Sequence, residues 1–281
     1  MRDEWIDLHV HTHYSDGMLS PEEVVIAAKK ADLKAVGIVD HDTVNGLDEA
    51  EQAGEKHGLE IVPGAELSSQ YKGLDIHILG YYFNRESTVL QDYFKKFQDE
   101  RLIRARKIVE NLNSIGVNIQ FDDVVNKSKG NNIGRPHIAD VLLEQGYVET
   151  FQEAFYRYIG YGSKSYVEKF KITPHEAVRV IAEADGLSFL AHPGPNISDD
   201  MIVEFAKAGL DGIEIVHPKH SRQRTGHLQK LARKWNLLVC GGSDCHGGRE
   251  GNINIGRYPV PYSILDEFRE ALRVKGNESE A

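Results

Sequence analysis

The chain has 281 residues, 41% of them hydrophobic and 27% charged, a balance suited to one large soluble domain or one domain carrying an insertion. A formal net charge of -10 argues against broad binding of nucleic acid through its phosphate backbone, so no stable nucleic-acid complex is expected, while a small phosphorylated substrate stays open. Cys240 and Cys245 suggest no disulfide framework, the N-terminus does not read as a signal peptide, and no apolar run nears the ~20 residues of a membrane span, so a cytoplasmic setting is expected.

In chain order, Trp5-Ile6 lead into Asp7-Leu8-His9-Val10-His11-Thr12-His13, a buried strand running into the loop Ser15-Asp16-Gly17. Residues i and i+2 of a strand share a face, so the rings of His9 and His11 can converge on one metal ion, and Asp16 offers a hard oxygen after the turn. Ser20-Pro21-Glu22-Glu23 has the pattern of a capping box opening a helix that runs to about Ala31. The strand Ala35 to Asp40 ends at His41-Asp42. A helix from about Gly46 to His57 stops at Gly58, and Glu60 to Ala65 leads to Glu66. Asp75 to Tyr81 is a further strand bearing His77. Alternation of strand and helix predicts parallel strands joined by crossover helices, with the site at their C-terminal ends.

From about Asn84 the rhythm changes. Residues 87–112 read as one long charged helix, followed by helices around Pro136–Gln145 and Glu149–Ile159, so 85–166 forms a helical insertion between the barrel segments 1–84 and 167–281. Arg101 and Arg104 share a face of the long helix, and that face reads as solvated. Alternation then resumes. A second capping box starts at Thr173, one strand ends at His192, another carries Glu214 and ends at His217, and a last ends in Ser243-Asp244-Cys245-His246. A final helix covers about Tyr262 to Val274, before a polar tail expected to fray.

His9, His11, Asp16, His41, Glu66, His77, His192, Asp244 and His246 thus gather at strand ends, more donors than one ion needs, since a catalytic metal usually takes three protein ligands. A mixed imidazole and carboxylate set accepts manganese, iron or zinc.

These motifs resemble the PHP (polymerase and histidinol phosphatase) family of metal-dependent phosphoesterases. The matches are Asp7 to Thr12 with Ser15-Asp16-Gly17, Asp40-His41-Asp42-Thr43, Gly64-Ala65-Glu66, His77, Ala191-His192-Pro193 and Gly242 to His246, in the family's order. The resemblance implies an α/β fold, a distorted seven-stranded (β/α) barrel with a helical insertion subdomain, holding two to three divalent ions. It implies one ion on His9, His11, Glu66 and Asp244, a second on Glu66, His77 and His192, and a third on Asp16, His41 and His246. The helical insertion and its segment Gly134-Arg135-Pro136-His137-Ile138-Ala139 resemble the branch that cleaves nucleoside 3',5'-bisphosphates and trims short RNA from the 5' end. Arg135 would then hold a substrate phosphate, as its planar fork suits, with His137 and His220 as further substrate contacts.

Clustered divalent ions suit phosphate-ester hydrolysis by activating water, neutralising phosphate charge and fixing the line of attack. The implied reaction is attack on phosphorus by a hydroxide bridging two metals, with Asp244 and Arg135 as the catalytic side chains. The proton for the leaving group would come from a metal-held water or a site histidine. Two alternatives stand beside this: a monophosphate phosphatase of histidinol-phosphate type, and a metal-stabilised regulatory module without turnover.

Overall fold

The computed structural model describes residues 4–128, 132–248 and 253–279. Its strands are β1 (Trp5–Val10), β2 (Ala35–Ile38), β3 (Glu60–Tyr71), β4 (Leu74–Tyr81), β5 (Leu187–Leu190), β6 (Gly212–Val216), β7 (Leu238–Gly241) and β8 (Val260–Pro261). They form a single sheet in the order β7-β6-β5-β4-β3-β2-β1-β8. A bridge between Val10 and Cys245, just beyond β7, brings the far edge back to β1, so the sheet nearly closes into a barrel. Closure needs a backbone approach that only glycine permits: a Cβ on Gly242 would stand 2.4 Å from the His9 nitrogen.

Eight strands are present where the resemblance implies seven. The additional one, β8, pairs antiparallel with β1 through Trp5 to Pro261 and Ile6 to Val260. Its two residues, Val260 and Pro261, follow Pro259 and have no alternation to read, and proline is confined to such edges because it cannot donate to a ladder.

The barrel is also not uniformly parallel. β1–β2, β2–β3, β5–β6 and β6–β7 are parallel, whereas β4 runs antiparallel to both β3 and β5. Only Lys72 and Gly73 separate β3 from β4, and their φ values of 49° and 81° give the left-handed two-residue turn that suits a hairpin. A parallel crossover would need a dozen or more residues. His77 therefore lies in mid-strand, paired with Ser68, rather than near a C-terminal strand end.

The helices are α1 (Pro21–Lys30), α2 (Leu47–His57), α3 (Thr88–Ser114), α4 (Phe121–Lys127), α5 (Arg135–Glu144), α6 (Phe151–Ala154) continued by a π-turn (Phe155–Ile159), α7 (Pro174–Glu183), α8 (Asp199–Lys207), α9 (Arg222–Trp235) and α10 (Ile264–Ser279). Both expected capping boxes form, at Ser20 with Glu23 and at Thr173 with Glu176. The tail expected to fray is helical to Ser279, and its last two residues lie outside the described residues.

The 27 residues of α3 span about 40 Å and belong to two cores. Leu90, Tyr93, Phe94 and Phe97 pack with Leu67 and Ile78 on the barrel wall and with Val178 and Ile181 of α7. Ala105, Ile108, Val109 and Leu112 pack instead with Ile138, Val141, Leu142, Ala154 and Ile159 from α5, α6 and the π-turn. This shared helix fixes α5 and the π-turn over the rim where the histidines gather.

Candidate metal centre

Each strand end is held in place by buried groups behind it. The Asp7 carboxylate accepts the backbone N–H groups of Ser243 at 2.9 Å, Gly256 at 2.9 Å and His9 at 3.3 Å, tying β1 to the loops that follow β7 and precede β8. Asp40 accepts the Thr12 N–H at 2.7 Å and the hydroxyls of Thr12 at 2.6 Å and Ser15 at 2.5 Å, which shapes the loop leading to Asp16. Asp42, His192 and Asp244 adopt φ values of 51°, 30° and 49°. Such angles are uncommon outside glycine and persist where the surroundings over-determine them. At His192 the constraint is visible, because its N–H donates to Glu214 Oε2 at 2.6 Å.

Glu66 is the hub. Its Oε2 lies 3.3 Å from His9 Nε2, 3.2 Å from His11 Nε2 and 3.3 Å from His41 Nδ1. Its Oε1 lies 2.8 Å from His77 Nδ1 and 2.9 Å from His192 Nε2. Asp244 Oδ1 faces His9 Nε2 at 3.4 Å and His11 Nε2 at 3.3 Å, and Asp16 Oδ1 faces His246 Nε2 at 3.2 Å. All nine residues singled out in the sequence meet here. Three overlapping groups have donor atoms within 4.8 Å of one another: His9, His11, Glu66 and Asp244; His11, Asp16, His41 and His246; and His41, Glu66 and His77.

The donor chemistry fits cations. His9 Nδ1 lies 2.9 Å from the buried Glu214 Oε1, so that nitrogen carries the proton and Nε2 presents a lone pair. That lone pair faces His11 Nε2 at 3.1 Å and two carboxylate oxygens. Electron-rich atoms so close together call for a positive charge among them. The electrostatics show the same tension. Burial pushes the His41 imidazole down to about 3 against Glu66 and Asp16, whereas Asp244 and Glu66 outweigh burial at His11 and carry it up to about 10. Burial would raise the Glu66 carboxyl, but the surrounding histidines hold it well below the usual carboxylate range.

Glu214 and His217 stand behind the donors. Glu214 bonds the His9 ring and the His192 backbone at once. His217 Nδ1 accepts the Lys219 N–H at 3.1 Å, which leaves Nε2–H to donate to Asp244 Oδ2 at 3.1 Å. Outer partners of this kind orient a ligand and raise its basicity. Glu214→Gln, which keeps the shape and removes the charge, is expected to weaken metal affinity about tenfold to a hundredfold, measured by competition with a chelator. Unchanged affinity would leave Glu214 as a buried packing group.

The remaining sequence-named residues separate in position. Arg135 lines a cavity of about 230 Å³ together with Asp16, His41 and His77. Its guanidinium donates to the Ile159 carbonyl at 3.3 Å and lies 5.5 Å from the Phe155 ring centre. His137 is buried and its Nδ1 accepts the Gly134 N–H at 3.0 Å, so it braces the turn that presents Arg135 and does not line this cavity. His220 sits behind His217, with ring centres 5.4 Å apart and its Nδ1 3.1 Å from the Ile215 carbonyl. It is His217 that lines the second and larger cavity, of about 450 Å³, on the Asp244 side.

The solvated reading of Arg101 and Arg104 is overturned, because both line the Arg135 cavity, as does Lys169. Arg101 Nε donates to Asp42 Oδ2 at 3.1 Å, and Asp42 also accepts the Tyr93 hydroxyl and the Ser68 N–H, each at 2.7 Å. Burial and the nearby arginines lower the Arg104 guanidinium to about 10. Burial and Arg101 lower the Lys169 ammonium to about 8, against Asp42 and Asp75. Both stay largely charged at neutral pH.

A nearly closed α/β barrel with such a rim of histidines and carboxylates, overlooked by cations, defines a metal-dependent phosphoesterase. The chain belongs to the PHP domain family, whose sequence pattern it matches over residues 7–178. It is 31% identical to a 5'-3' exoribonuclease of Haemophilus influenzae, over 85% of this chain and 89% of that one. It is 30% identical to the 3',5'-nucleoside bisphosphate phosphatase of Chromobacterium violaceum, over 89% of this chain and 90% of the other. Among solved structures, a protein of Bifidobacterium adolescentis described as a metal-dependent phosphoesterase superposes with a TM-score of 0.88 at 32% identity, covering 94% of each chain. The protein is a hydrolase of phosphate esters. No helix among the described residues is long and apolar enough to cross a membrane.

Proposed function

We propose that this chain hydrolyses nucleoside 3',5'-bisphosphates to release phosphate, and accepts short 5'-phosphorylated RNA at the same site. One observation carries the reading: cations from the helical segment and the barrel overlook the donor cluster. Arg104, Arg135 and Lys169 have no carboxylate within 4.0 Å among the described residues, although burial makes their charges costly. A phosphate entering the cavity would relieve that cost. The relatives named above supply the substrate class.

In this reading 85–166 is the helical insertion subdomain that carries the phosphate-binding side chains over the 1–84 and 167–281 barrel. His9, His11, Glu66 and Asp244 would hold one manganese, iron or zinc ion, Glu66 with His77 and His192 a second, and Asp16, His41 and His246 a third. Such ions supply an activated water near neutral pH and neutralise charge on the phosphate. Arg135, Arg104 and Lys169 receive the reacting phosphate and steady the charge that grows on its oxygens. The larger cavity shares Asp16, Pro136 and Phe155 with the first and is lined further by Phe151, Lys219 and Arg257. It suits the nucleoside, on an aromatic wall, and the second phosphate, on two cations.

The test is phosphate release with added manganese. Adenosine 3',5'-bisphosphate is expected to exceed both adenosine 5'-monophosphate and histidinol phosphate by at least about tenfold in kcat/KM, because each of those leaves polar groups of the site unpaired. Histidinol phosphate as the best substrate would assign the site to a metabolite monophosphatase. A fully metallated protein that turns over none of them would be a regulatory module.

A further inference from the structure

The small cavity does not end at its arginines. The guanidinium carbons of Arg104 and Arg135 each lie 5.9 Å from the ring centre of Tyr166. Tyr166 in turn meets Tyr161 edge-on, with ring centres 5.3 Å apart. Tyr161 is 90% exposed. A row of cation, half-buried ring and bare ring therefore leads from the donor cluster to the surface.

The turn that displays Tyr161 is built for it. Tyr161 stands between two glycines, the first closed to a side chain by contact and the second strained for one by its backbone angle. A Cβ on Gly160 would lie 2.2 Å from the Phe155 carbonyl oxygen, and Gly162 has a left-handed φ of 80°. The Ser163 hydroxyl closes the turn on the Tyr158 carbonyl at 2.5 Å. Leaving a large ring in water on such a fixed mount has no packing benefit. The mount follows directly from the π-turn, whose Phe155 lines both cavities.

We propose that Tyr166 and Tyr161 form a stacking track for single-stranded RNA, taking the bases that follow the phosphodiester held by Arg104 and Arg135. This rests on the function proposed above and names the residues that let one site serve a chain as well as a mononucleotide. Aromatic faces beside cations are what binding of single strands without sequence preference requires, because every base has a π-face and every linkage a charge. The overall net charge of -10 is no obstacle, since the cations are concentrated where the strand would enter. A bisphosphate mononucleotide ends at the arginines and has nothing to place on Tyr161.

The test uses the metal-loaded full chain. Kinetics are measured on adenosine 3',5'-bisphosphate and on a 5'-phosphorylated hexaribonucleotide, and binding of a phosphorothioate-linked hexaribonucleotide is followed by fluorescence anisotropy. Tyr161→Ala is expected to raise KM and Kd for the hexamers about fivefold to a hundredfold, with bisphosphate kinetics unchanged. Tyr161→Trp should restore hexamer binding. Unchanged hexamer constants in Tyr161→Ala, or an equal loss on the bisphosphate, would overturn the track. If the wild type hydrolyses neither substrate, the proposed function fails, and the track is judged by anisotropy alone: Tyr161-dependent binding upholds it, and absent or Tyr161-independent binding ends it.

Discussion

Glu66→Gln is expected to abolish turnover and to strip the protein of most of its divalent metal. The side chain is 1% exposed and both of its oxygens are committed, one to His9, His11 and His41, the other to His77 and His192. Glutamine has nearly the same shape, so packing should survive. It replaces an acceptor by an N–H donor and removes the one charge that all five rings share. Asp244 would then stand alone against His9 and His11, the rings of His41, His77 and His192 would lose their carboxylate partner, and the cations they gather would lose a common ligand. The loss should exceed the roughly tenfold to hundredfold associated with the outer partner of a metal ligand. Metal content by elemental analysis and phosphate release on the bisphosphate give the two readouts, and circular dichroism confirms folding. A variant that keeps both its metal and its turnover would remove Glu66 from the centre of the site.

The donor cluster was legible because it rests on local rules. His9 and His11 share a strand face by simple alternation, and His41, His192, Asp244 and His246 follow strands that their own apolar runs define. The capping boxes at Ser20 and Thr173 are equally local. What escaped depends on partners distant in sequence. The direction of β4 follows from a two-residue turn at Lys72 and Gly73 that a search for crossover helices passes over. α3 presents charges along much of its length, and periodicity alone cannot tell a charged face turned to water from one turned to a cavity. The available signal was Asp42, in a motif of the strand end: the carboxylate is buried in the structure and needs a cation, and Arg101 supplies it. Lys169 lies in an irregular stretch with no period to place it. Between His217 and His220 the choice is made by the turn at Pro218, which aims His217 at Asp244 and leaves His220 on a backbone carbonyl.

Arg135→Ala should lower kcat/KM on the bisphosphate about a hundredfold while metal content stays normal. Arg135 is the first residue of α5, its turn is braced by His137, and its guanidinium is flanked by the rings of Phe155 and Tyr166. Burial lowers its pKa, yet it remains charged at neutrality. Among the described residues its guanidinium makes one hydrogen bond within the protein, to the Ile159 carbonyl, so most of its donors stay available to the cavity. That separates it from Arg101, which Asp42 already engages and whose loss should cost stability as well as rate. A charge-assisted hydrogen bond contributes about 1.5–3 kcal/mol, and a donor aimed at developing charge is worth about 10²–10³ in kcat. The loss should therefore fall on kcat as well as on KM. Arg135→Lys should recover part of it, because the ammonium keeps the charge and loses the two-pronged fork. Wild-type kinetics in Arg135→Ala would mean that the phosphate sits on the barrel residues alone, and that the helical segment covers the site without touching the substrate.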